Sequence, residues 1–122
     1  MTATNKNSLV ITAHPGDFVW RAGGAIALHA RRGYRMKIVC MSFGERGESQ
    51  FAWKKAGVSM ADVKAGRRDE AQRAAEILGA EIEFFDAGDY PLRVTEAIGE
   101  WIRIRLADGK VGWVQMSVAE RI

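Results

Sequence analysis

The sequence predicts an α/β domain of three layers built on a mostly parallel sheet. Three observations carry this expectation. Short apolar runs rich in β-branched residues recur without clean alternation, as in strands buried on both faces. Helical patterns ending at glycine separate those runs. The order strand, helix, strand repeats along the chain, which fits right-handed βαβ units.

The first strand is Ser8-Leu9-Val10-Ile11-Thr12-Ala13, stopped by the turn-forming cluster His14-Pro15-Gly16-Asp17. Gly23-Gly24 leads into a helix through about Arg32, with Gly23, Ile26, Ala27 and Ala30 on one face and Gly33 as its stop. Arg35 to Met41 reads as a second buried strand. Ser42 to Val58 is a long polar loop of the kind that is usually functional. Ser59-Met60-Ala61-Asp62 resembles a capping box with Asp in the Glu position, and its helix runs to Leu78 before Gly79. Ala80 to Asp86 is a third strand, and Ala87 to Pro91 another loop. Ile98, Ile102 and Leu106 are spaced by four, predicting a helix over Thr95 to Leu106, with a last strand over Val111 to Val118. In such sheets ligands bind beyond the carboxyl ends of the strands, so the loops beginning at His14, Ser42 and Ala87 are where chemistry is expected.

Composition narrows the function classes. The 122 residues suit one domain, and 48% hydrophobic with 27% charged residues is ordinary for a folded globular chain. No apolar stretch is long enough for a membrane span, and Met1 to Asn7 lacks the apolar core of a signal peptide. The lone Cys40 cannot form an internal disulfide, consistent with a cytoplasmic location, and reads as a buried strand residue with no reactive role. The net charge of +3 is not gathered into a long basic run, so a small anionic partner is expected rather than nucleic acid or a membrane. Dinucleotide, P-loop and nucleophile-elbow motifs are all lacking in this sequence.

Three constellations stand out. His14 and Asp17, three apart on one turn, can both reach a divalent ion; the alternative is a turn cap and a helix cap. In Glu45-Arg46-Gly47-Glu48, a carboxylate beside such an ion can move protons, and Gly47 would let Glu48 turn inward; the alternative is a solvated charge cluster. Arg67 interrupts the apolar stripe Val63, Ala71, Ala74, Leu78, with Glu70 one turn away. A charge on that stripe is costly unless satisfied, so it is either a structural ion pair or a cation aimed at an anionic ligand.

These residues together resemble the PIG-L/LmbE superfamily of zinc-dependent deacetylases. The family motif Ala-His-Pro-Asp-Asp-Glu followed by Gly-Gly corresponds to Ala13-His14-Pro15-Gly16-Asp17-Phe18 and Gly23-Gly24. The later Arg-x-x-Glu ahead of Leu-Gly corresponds to Arg67, Glu70 and Leu78-Gly79. The resemblance spans Ser8 to Leu92 and implies a Rossmann-like fold with His14 and Asp17 as Zn2+ ligands. The deacetylase general base is Gly16 here and the following Glu is Phe18. Asp17 to Gly24 and Ser42 to Ser49 are similar instead to the hydratase branch, the 4-oxalomesaconate hydratases of gallate and protocatechuate breakdown. That branch implies addition of water to a conjugated C=C of an anionic oxo-tricarboxylate, giving 4-carboxy-4-hydroxy-2-oxoadipate. Glu48 would transfer the proton, and Arg67 with Arg21 or Arg46 would bind carboxylates.

The family also takes a metal-binding His from a later motif, whereas no histidine follows His29 here. The expectation is therefore the N-terminal portion of one PIG-L/LmbE-like domain over residues 1–122, with 108–122 an atypical tail. Such a sheet has an uncovered edge, an aggregation liability; a homo-oligomer is allowed for as a partner state. The rival readings are an N-acetyl sugar deacetylase, and a non-catalytic remnant that binds small anions.

Overall fold

The computed structural model describes residues 6–88, 101–105 and 111–115. They fall in two compact units, Met1–Leu92 and Arg93–Ile122. The first unit runs β1 (Asn7–Thr12), α1 (Asp17–Arg31), β2 (Arg35–Cys40), α2 (Gln50–Trp53), α3 (Met60–Leu78) and β3 (Ala80–Phe84). Its sheet has the order β1-β2-β3, with both pairings parallel. The α/β class with a parallel sheet is thus as the sequence predicts.

Register follows from the apolar residues. Val10, Ile38 and Ile82 align across the sheet, as do Thr12, Cys40 and Phe84. The face bearing Ile38 and Met36 meets Phe18 and Ile26 of α1 and Ala71 and Ala75 of α3, all fully or nearly fully buried. Two successive crossovers of one hand in one direction bring both helices to this face.

Helix α1 begins at Asp17, six residues before the expected start at Gly23. The reason is local: an acidic residue suits the first turn, and Asp17 Oδ2 accepts a hydrogen bond from His14 N at 3.3 Å. Gly23 instead lies buried inside the helix, where a Cβ would touch the Leu78 methyls at 3.9 Å. Helix α3 opens with the expected capping box. Asp62 N donates to Ser59 Oγ at 3.1 Å, and Ser59 N donates to Asp62 Oδ2 at 2.9 Å. It stops at Gly79 in the left-handed conformation (φ 81°), with Ala30 packed so closely that an added Cβ would stand 2.9 Å from it.

In the second unit, β4 (Trp101–Arg105) pairs antiparallel with β5 (Val111–Gln115). This corrects the helix expected over Thr95 to Leu106. A spacing of four satisfies a period of two as well as 3.6, and Ile102-Arg103-Ile104-Arg105 alternates strictly with β-branched residues. The rest of that expected helix, and the Met116 to Val118 end of the expected last strand, lie outside the described residues. Among the described residues no helix is long and apolar enough to cross a membrane.

Candidate active site

The carboxyl ends of β1 and β2 each release a loop, and the two loops meet. The β1 loop carries His14 and Asp17. The β2 loop, Ser42 to Ser49, carries Glu48. His14 Nδ1 lies 3.3 Å from Asp17 Oδ2 and 4.0 Å from Glu48 Oε1. The three sequence-predicted residues are therefore gathered at one place. His14 is mostly enclosed, Asp17 and Glu48 partly open.

The imidazole and carboxylate face each other at a spacing that suits a shared ion. Two ligands each about 2.0–2.2 Å from a tetrahedral zinc stand about 3.3–3.5 Å apart. Nitrogen plus oxygen donors also match zinc's ligand preferences. Among the described residues no group of three His, Cys, Asp or Glu side chains converges as a complete cage. The pair fits a metal as two of its ligands.

The β2 loop is built from inside. Glu45, expected in a solvated cluster, is only 3% exposed, and its Oε2 accepts from Phe43 N at 3.1 Å. Its carbonyl accepts from Trp53 Nε1 at 2.6 Å. Ser49 Oγ donates to Gly44 O at 2.6 Å. The left-handed residue that turns the loop is Gly44 (φ 61°), not the expected Gly47. Trp53 is thereby a hydrogen-bond brace for this loop. The sequence marks Ser42, Gly44 and Ser49 only collectively, through the long Gly-containing loop and the likeness of Ser42 to Ser49 to the hydratase branch.

Arg67 sits on the inward stripe of α3, its side chain 21% exposed. Nη1 donates to Glu70 Oε2 at 3.0 Å, while Nε is buried with no hydrogen-bond partner. Cys40 is buried at the last position of β2. Burial pushes its thiol up to about 12, a backbone hydrogen bond at Ser42 opposes that, and the charges of Asp17, Arg67 and Glu45 all act on it. The neighbouring Arg68 lies over the stacked rings of Phe43 and Phe84, 5.1 and 5.6 Å from their centroids. Arg21 is exposed on α1, and Arg46 is exposed in the β2 loop.

Comparison with known proteins places this arrangement. The family model described as GlcNAc-PI de-N-acetylase, PIG-L, matches residues 9–113. The chain belongs to the PIG-L family. Within that family it is 62% identical over 93 residues to a 4-oxalmesaconate hydratase of Pseudomonas putida, covering 76% of this chain and 36% of the relative. The crystal structure of GalB, the 4-carboxy-2-hydroxymuconate hydratase from Pseudomonas putida KT2440, superposes with a TM-score of 0.72 at 63% identity, over 75% of this chain and 38% of that one. A 1D-myo-inositol 2-acetamido-2-deoxy-alpha-D-glucopyranoside deacetylase of Rhodococcus erythropolis is 35% identical over 81% of this chain and 34% of its own length. The chain thus spans about a third of the PIG-L relatives it matches.

Proposed function

We propose that this chain carries the metal-binding and proton-transfer part of a zinc-dependent hydratase. The substrate would be 4-oxalomesaconate and the product 4-carboxy-4-hydroxy-2-oxoadipate, in gallate and protocatechuate catabolism. The observation that carries the reading is Glu48 beside the His14–Asp17 pair, with no side chain at Gly16. Relatives named as hydratases at 62–63% identity support it.

His14 and Asp17 would hold the ion, which when bound polarises a substrate oxygen. Hydration adds OH to one carbon of the double bond and H to its neighbour. Glu48 would carry that proton, its Oε1 lying 4.0 Å from His14 Nδ1. Arg67 offers a buried Nε–H with no partner, which suits a substrate carboxylate, while Glu70 holds the other arm of the fork. Arg21 and Arg46 would meet further carboxylates at the exposed rim.

Zinc content and loss of the conjugated enol absorbance test this together. The expected result is stoichiometric zinc in the protein and in Glu48→Gln, and loss of zinc in His14→Ala and Asp17→Ala. Hydration by Glu48→Gln should fall by roughly 10²–10⁴-fold, the usual worth of a proton-transfer group. Undiminished turnover by Glu48→Gln removes that residue from the mechanism. A protein that takes up no zinc but still binds a tricarboxylate through Arg67 is the anion-binding remnant instead.

A further inference from the structure

Gly44 lies where the two loops touch. A Cβ built on it would stand 2.9 Å from Glu48 Cβ and 3.3 Å from Pro15 Cδ. Its bare Cα is therefore a surface against which both Pro15, next to His14, and the stem of Glu48 lie. Its positive φ of 61° disfavours other residues independently of that crowding.

Hydrogen bonds tie the same segment to both sides. Ser42 N and Oγ donate to Ala13 O, at 3.2 and 2.8 Å, one residue before His14. Gly44 N donates to Ser42 Oγ at 3.2 Å. Glu48 N donates to Gly44 O at 3.2 Å, and Ser49 Oγ donates to the same carbonyl. The bonds run without a break from the His14 turn through Ser42 and Gly44 to Glu48, and Ser42 is 1% exposed.

We propose that Gly44, supported by Ser42, is a positioning residue that sets the separation between the Glu48 carboxylate and the His14 imidazole. Its meaning for catalysis rests on the proton-transfer reading of Glu48; the placement itself does not. Gly57 supplies the control. It too has a positive φ (73°), but a Cβ there meets nothing within 4 Å, so Gly57→Ala adds similar backbone strain without contact.

The experiment follows the His14 ring signals by NMR in the zinc-free protein at one fixed pH, beside hydration kinetics. Gly44→Ala should move those signals, Gly57→Ala should not, and the Gly44→Ala effect should shrink when Glu48 is already Gln. In turnover, Gly44→Ala should lower kcat by roughly 100-fold, the scale of a one-ångström misplacement, with KM and zinc content kept. Ser42→Ala removes the two hydrogen bonds of Oγ, to Ala13 O and from Gly44 N, without crowding, and serves if Gly44→Ala does not fold; it should move the same signals. Ring signals unmoved by Ser42→Ala and by any folded Gly44→Ala overturn the inference, as does a change confined to KM. Wild-type protein that hydrates nothing ends the hydratase reading, while the ring signals still decide the positioning role.

Discussion

At Gly16 the backbone is right-handed (φ −80°, ψ −25°), and an added Cβ would meet only the Trp20 indole at 3.7 Å. That is an ordinary contact, so aspartate fits the position that holds the base in the deacetylases. Gly16→Asp should fold like the wild type and leave N-acetyl sugar amides nearly intact; strong amide hydrolysis by this variant would restore the deacetylase reading. Single residues differ in how far the sequence discloses them. His14, Asp17 and Arg67 are legible because each is a polar group in a position that needs explaining, at a strand end or on an apolar stripe. Cys40 is legible as buried because it sits in an apolar strand. Glu45 is not: a Glu-Arg-Gly-Glu run looks solvated, and only the closure of the loop through Phe43 and Trp53 encloses it. Nor can a loop with several glycines say which one takes the left-handed conformation, since that depends on what packs against it.

Helix α3 shows how a local signal becomes an element. The Ser59 backbone N–H, and then its side chain, hold the Asp62 carboxyl below its ordinary value of 3.8. A group depressed on folding stabilises the folded state above its unfolded pKa. The contribution is therefore full at neutral pH and fades as the pH drops past 3.8 through the lower folded value. Ser59→Ala should cost about 1 kcal/mol at pH 7 in denaturant melts. It should remove only the side-chain share of this acid limb, because the backbone N–H of residue 59 still donates to Asp62; Asp62→Asn should abolish the limb, and a limb that survives in Asp62→Asn would show that the cap does not set it. The capping box was readable because both partners are in one tetrapeptide. The helix expected over Thr95 to Leu106 failed for the opposite reason: its three apolar residues fit two periods, and pairing of Trp101–Arg105 with Val111–Gln115 decides between them. The single turn of α2 escaped notice because four residues are too few for a periodic pattern.

At the scale of the molecule, the repeating strand–helix order was enough to indicate a parallel sheet, because crossovers of fixed hand leave few alternatives. The convergence of His14, Asp17 and Glu48 follows from that topology, since neighbouring parallel strands release their loops at the same end. The fine spacing within that cluster does not follow, because it depends on Gly44 and Ser42 inside a loop with no repeat to read. The sheet order has one more effect. β2 lies between β1 and β3, and its bonds continue past its end, with Met41 N donating to Thr12 O and Phe85 N to Cys40 O. Both of its edges are occupied, whereas β1 and β3 each have one edge with no strand beside it among the described residues. In heavy water, the amide protons of Met36 to Cys40 should be the last in the first unit to be replaced by deuterium, persisting until that unit opens as a whole.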